Sequence, residues 1–318
     1  MTEPPPRQIR RTVLRRLREL TGRQRLLMSN SWIALFLSAV LLASATPAVA
    51  APVPATPRDL CAPQQAAVDQ LRAEIQAHNN KPHTFTPAQR AQAAAYDAEA
   101  RALNARRGPV NANLKACVKA MQTLQGAIGS PLGLVKPPPD VEAALRQAQN
   151  RLPSGWTPPP PPSPANRNWK ARGTPVDPLF DVLRKGNPGE LGNIRLQGVA
   201  RPKIGDRDPA YPAGSGKVIG TNADGNSKVS PDHIIPLSQL VNLPGFTKLT
   251  PQQMYALSRA PLNFQWLSPA ANLSKQSRSA AFVSGADPAW VRAQQALEQQ
   301  TLKKLEDIIA KLLKINGG

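Results

Sequence analysis

Apolar positions along this chain follow several different rhythms, and each rhythm predicts a different kind of element. Residues 32–43, WIALFLSAVLLA, form one nearly unbroken apolar run. From residue 59 the apolar positions thin out and take helical spacing within Ala-, Gln-, Arg- and Glu-rich sequence, which predicts helices over 59–80, 86–107 and 110–127. Leu71, Ile75 and His78 mark a modest stripe at i, i+4 and i+7 of the first helix. HNNKPHTFTP separates the first helix from the second, Thr86 and Pro87 supply an N-cap and N1 pair, and GPV at 108–110 separates the second from the third. From residue 167 to 269 short apolar clusters alternate with turn residues. Here KVIG (217–220), HIIPL (233–237) and NFQWL (263–267) predict strands, and LTPQQMYALSRA predicts a short helix capped by Thr250. Ser268 and Pro269 open another helix, expected to run to about Ala281. The last helix, Pro288 to Ile315, carries Leu297, Leu305, Ile308, Leu312 and Ile315 at the helical period.

The apolar run at 32–43 changes meaning once its flanks are read. An Arg-rich stretch, residues 7–25, precedes it, and ATPAVAAP follows. A basic region, a short apolar region and an A-x-A site make an export signal, with cleavage expected after Ala50. The run is short for a bilayer span, so membrane contact is expected only through this segment, if it stays uncleaved. The protein is therefore expected to be secreted, periplasmic or in the cell envelope. Export makes Cys61 and Cys117, the only cysteines, candidates for one disulfide; two buried thiols is the alternative, and their spacing has no metal-site logic.

Many of the 35 prolines are clustered, and LPSGWTPPPPPSPAN (152–166) reads as a polyproline spacer that keeps two units apart. The expected organisation is a signal peptide at 1–50, a helical domain at 51–151, a Pro-rich linker at 152–166 and a chemistry-bearing domain at 167–318. A formal charge of +20 divides as +6, +5 and +9 over residues 1–50, 51–164 and 165–318. Every section is basic, which points to a polyanion or an acidic surface as partner. Scarce aromatics argue against a single-strand binder working by base stacking.

Candidate chemistry is concentrated at one of only three histidines. His78 and His83 flank a turn without acidic or cysteine neighbours in sequence and read as surface or turn residues. His233 follows Asp232 and precedes an apolar IIPL. Asn263 opens the next predicted strand. Asn272 lies at the start of the following helix, with Lys275 on the same face. Strand, strand and helix would bring these residues to one small site. The set Asp232-His233-Ile-Ile-Pro-Leu, Asn263-Phe-Gln-Trp-Leu and Asn272-Leu-Ser-Lys275 resembles the HNH, or ββα-metal, nuclease family over about residues 215–282. The Asn263-to-Asn272 interval is similar to that in CRISPR-associated nucleases and many secreted bacterial toxins.

That resemblance implies an α+β fold: a small ββα-metal nuclease domain with added helices, preceded by an all-α helical hairpin unit and a Pro-rich linker. It implies His233 as the base that activates water, and Asn263 as the residue that orders the inter-strand loop. Asp232 and Asn272 would be the oxygen ligands of Mg²⁺ or Mn²⁺, and Lys275 and Arg278 would face phosphate. Many family members have histidine where Asn272 stands, so zinc affinity is expected to be low. The gap between His233 and Asn263 is long. No paired-cysteine knuckle surrounds the motif. Nucleic acid is the implied partner, DNA favoured over RNA because most of the family cuts DNA. The layout is that of a polymorphic toxin, which would bring an acidic immunity protein over the basic cleft. The rival expectation is a non-enzymatic envelope or cell-surface protein that binds anionic polymers, with Asp232 and His233 inert.

Overall fold

The computed structural model describes residues 53–56, 58–124, 134–189 and 191–317; the predicted export signal and its cleavage point lie outside the described residues. The fold is α+β. Its elements in chain order are β1 (Val53–Ala55), α1 (Ala62–Asn79), α2 (Arg90–Leu124), β2 (Leu134–Lys136), α3 (Pro139–Asn150), α4 (Asp177–Arg184), β3 (Ser230–His233), α5 (Leu237–Leu240), α6 (Pro251–Ser258), β4 (Phe264–Leu267), α7 (Pro269–Lys275) and α8 (Pro288–Asn316), with short 3-10 turns between some of them. Both sheets are two-stranded and antiparallel: β1 with β2, and β3 with β4. Among the described residues no helix is long and apolar enough to cross a membrane.

The predicted second and third helices are one helix, α2, with Pro109 inside it. Proline in a helix interior costs about 3 kcal/mol, chiefly through a lost hydrogen bond and a clash one turn back. Gly108 removes the further clash that a preceding side chain makes with the proline ring. Burial supplies the rest: Leu103, Leu114, Cys117 and Met121 on α2 all face the interior. Cys61 and Cys117 are joined in a disulfide, as the lone cysteine pair allowed. A covalent bridge of this kind is compatible with an extracellular or periplasmic location. His78 is corrected: it is buried, its Nδ1 lies 3.0 Å from Glu99 Oε2 on α2, and it stacks on Tyr96. Its acidic neighbour comes from another helix and was out of reach of sequence proximity. His83 is exposed, as expected.

The spacer does not keep two units apart. One core joins Leu60, Val68, Leu114 and Met121 of the helical segment to Leu179, Ile234, Phe246, Leu257 and Leu305 beyond the prolines, and Leu152 and Trp156 of the spacer pack against it. Hydrogen bonds cross the same boundary. Gln64 Nε2 donates to Asn316 Oδ1 at 2.9 Å, and Gln149 Nε2 donates to the carbonyls of Thr247 and Leu249 at 2.7 and 2.9 Å. A polyproline stretch carries no ladder of its own, but it can lie along an apolar surface as readily as span a gap.

Caps read from sequence are present where expected. Thr250 accepts from Gln253 N–H and Ser268 from Ala271 N–H; Asp287, not singled out in the sequence, caps α8 in the same way, accepting from Ala289 and Trp290 N–H. The strands shift. KVIG forms only one isolated bridge, Val218 with Arg207. HIIPL contributes only His233, because the strand lies earlier, over Ser230–His233. Pro231 is tolerated there because each strand of a two-stranded sheet is an edge. The helix opened by Ser268 ends at Lys275 instead of about Ala281, since Gln276 takes a left-handed conformation with φ of 55°.

Candidate functional site

β3 and β4 pair Asp232 with Gln265 and His233 with Phe264. Two small clusters hold this hairpin. Phe264 and Trp266 pack with Leu191, Ile194, Leu196, Ile219 and Val229, while Leu267 packs with Tyr211, Ala271 and Val283. Ala271 carries α7 onto the hairpin, so the strand–strand–helix order of the sequence becomes a physical assembly. Along a strand, neighbouring side chains take opposite faces. Asp232 and His233 nevertheless border one cavity of about 520 Å³, together with Asn272 and Lys275. The strand runs without a break through both residues and ends at His233.

His233 is fixed by contacts far away in sequence. Its Nε2 lies 3.0 Å from the Ser258 carbonyl, and its ring tilts against Phe264 at 4.4 Å between centroids. A carbonyl accepts only, so Nε2 carries the proton and Nδ1 presents a lone pair. Burial pushes the imidazole down to about 4; the Ser258 carbonyl opposes this, and the charges of Lys275 and Arg259 add to it. At neutral pH this histidine is an uncharged base.

Asn263 is fully buried. Its Oδ1 accepts from Ile235 N–H at 2.8 Å and its Nδ2 donates to the Ile235 carbonyl at 2.9 Å. That two-point clasp orders the backbone just after His233, which is the ordering role expected. Asn263 is not among the residues that line the cavity beside His233.

Asp232 and Lys275 are both buried, and Lys275 Nζ sits 3.1 Å from Asp232 Oδ2. Nζ donates to the His233 carbonyl at 2.8 Å, and Oδ2 is enclosed with the ammonium as its charge partner. Burial pushes the Asp232 carboxyl above its ordinary range, and the ammonium counters it. Asn272 donates through Nδ2 to Ser230 Oγ at 3.2 Å, a bond that does not use its Oδ1. Asp232 and Asn272 border the cavity with a carboxylate and an amide, hard oxygen donors of the kind Mg²⁺ or Mn²⁺ takes. Asp232 Oδ2 is enclosed against the Lys275 ammonium, which a cation bound there would have to displace. Among the described residues no cluster of three His, Cys, Asp or Glu side chains forms.

Two assignments change. Lys275 does not face solvent: its side chain is enclosed by Asp232 and the His233 carbonyl. Arg278, in the turn beyond α7, folds back on the end of that helix and donates to the carbonyls of Ser274 and Lys275. Both residues were placed correctly in sequence, but their long side chains found partners nearer than a substrate.

Sequence reasoning missed Ser258, Asn187 and Arg184. Ser258 lies in the long His233–Asn263 interval, so that insertion supplies the hydrogen-bond partner of the histidine. Asn187 Nδ2 donates to the same Ser258 carbonyl at 2.9 Å and to the Leu183 carbonyl at 3.2 Å. Arg184, at the end of α4, borders the cavity. All three lie outside the spacing that identifies the motif, and only their convergence marks them. No protein-family model matches the chain, and no curated protein or solved structure matches it.

Proposed function

We propose that this chain is an exported metal-dependent endonuclease of the HNH, or ββα-metal, type that hydrolyses phosphodiester bonds, with DNA favoured as substrate. The observation that carries this reading is the setting of His233. A neutral imidazole, held through Nε2 by a backbone carbonyl, borders one cavity with Asp232 and with the amide of Asn272.

In this reading His233 Nδ1 takes a proton from water as the water oxygen attacks phosphorus. A new P–O bond forms, the bond to the leaving sugar oxygen breaks in line, and that oxygen takes a proton from solvent water, while His233 later returns its proton to solvent. Asp232 and Asn272 would hold Mg²⁺ or Mn²⁺, which supplies positive charge to the phosphate and the leaving oxygen. Asn263 and Ser258 keep the imidazole in one orientation and one tautomer. An antibacterial toxin role, with an acidic immunity protein over the basic cleft, follows from the layout of the chain by analogy.

One observation favours the second reading, a non-enzymatic envelope protein binding anionic polymer: Lys275 already neutralises Asp232. Purified protein incubated with supercoiled plasmid separates the two. Nicking with Mg²⁺ or Mn²⁺, abolished by chelator and by His233→Ala, is the outcome expected. Intact plasmid and intact RNA under all metals would leave the binding protein.

A further inference from the structure

The cavity beside His233 contains a charge that the motif does not account for. Three charged side chains line it: Asp232, Lys275 and Arg184. Asp232 and Lys275 pair with each other at 3.1 Å. Arg184 is exposed, and among the described residues no carboxylate lies within ion-pair distance of it. The nearest acid on its own helix, Asp181, is already paired with Arg172 at 3.1 Å.

We infer that Arg184 is the group that grips a backbone phosphate of the nucleic acid in this cleft, the part assigned by sequence to Lys275 and Arg278. This rests on the nuclease reading above and names the substrate contact that the recognisable motif lacks. The backbone beneath Arg184 is rigid. Leu179 and Leu183 anchor α4 in the main core, and Phe180, one turn before Arg184, borders the same cavity. Arg259 Nη2 donates to the Lys185 carbonyl at 2.7 Å, and Asn187 ties the end of α4 to the Ser258 carbonyl that also orients His233. The base and the arginine are thereby referenced to one segment, Ser258–Arg259. A guanidinium offers a planar fork of donors that matches two phosphate oxygens, and a cation in the last turn of a helix is favoured by the helix dipole. It follows that the strand–strand–helix motif alone is not a complete site: α4, from outside it, forms the substrate-binding wall.

The test uses the full chain in a His233→Ala background with Mg²⁺, so that a short DNA duplex is bound and not cut. Affinity is measured by fluorescence anisotropy over a range of salt. Arg184→Ala should weaken binding by about tenfold to a hundredfold, the range for a charge-assisted hydrogen-bonded contact. It should also lower the slope of log affinity against log salt by about 0.9, the release expected for one phosphate contact. Arg184→Lys should keep the slope and recover only part of the affinity. In the His233 protein, Arg184→Ala should raise KM far more than it lowers kcat. An unchanged slope and KM in a cutting enzyme would overturn the phosphate grip and leave the nuclease reading standing. A parent that cuts nothing, yet whose salt slope still drops with Arg184→Ala, would sink the nuclease reading and support the grip. A parent that does not bind DNA would overturn both.

Discussion

Two histidines of this chain sit under aromatic rings inside the fold, and they are set up for opposite purposes. His78, on α1, stacks on Tyr96 and points Nδ1 at Glu99, whose carboxylate also takes Lys81 at 2.6 Å. His233 has a carboxylate as its immediate neighbour in sequence and does not use it. Asp232 goes to Lys275, while His233 Nε2 goes to an uncharged carbonyl. The first arrangement satisfies an imidazole with a carboxylate partner. The second leaves a neutral ring with a lone pair beside a cavity. Adjacency in sequence is therefore a poor guide to partnership within a strand, where successive side chains part company.

The sharpest way to break this comparison is to remove each ring. His233→Ala should lower kcat for plasmid nicking by about 10²–10⁴, the usual worth of a general base. His78→Ala should leave kcat unchanged in the protein that remains folded. Equal losses would mean that neither histidine is a base and that both serve the fold.

The two carboxylates extend the contrast to stability. Asp232→Ala leaves the Lys275 ammonium buried without a counter-charge and should cost about 3–5 kcal/mol in urea unfolding. Adding Lys275→Met to that variant should recover most of the loss. Glu99 is partly exposed, and water can replace it, so Glu99→Ala should have a much smaller effect. A small loss for Asp232→Ala would show that Lys275 reaches solvent, and the enclosed pair would have to be abandoned.

The smallest effect sharpens the titration. His233 is pushed down to about 4 in the fold from 6.5 in the unfolded chain. Between these values the unfolded chain binds the proton and the folded chain does not, so stability falls as pH falls through that window. The slope from this group reaches at most about 1.4 kcal/mol per pH unit. Asp232, pushed the other way by burial, contributes stability that is lost as pH rises through its folded value. The difference between parent and His233→Ala, unfolded in chelator, isolates the histidine: the parent should lose more on acidification from 6.5 towards 4. Parallel curves would place the ring in contact with water.

What could be read before folding was local. Thr250-Pro251 and Ser268-Pro269 open helices because a side-chain oxygen and a proline act within one turn. The spacing of Asp232, His233, Asn263 and Asn272 was legible for a related reason: a short hairpin and the helix after it constrain who meets whom. Even the loop-ordering role of Asn263 could be stated, since an asparagine amide can satisfy one N–H and one C=O together. Helix boundaries at Pro109 and Gln276 were not legible, because packing against α1 and α8 and a left-handed turn decided them. Nor were the directions of Lys275 and Arg278, whose long stems reach any of several acceptors.

By itself, then, the sequence determined the disulfide candidates, the helix caps and the identity of the residues that meet at the end of β3, all consequences of chemistry within a turn or a hairpin. Only the tertiary structure decided that Ser258 orients His233, that Lys275 is spent on Asp232, and that Arg184 is the uncompensated charge of the cavity. Those outcomes depend on elements 25 to more than 40 residues apart being packed by one shared core. No spacing rule reaches that far, because the approach of distant segments is set by the sum of apolar burial over the whole fold and not by any single pair.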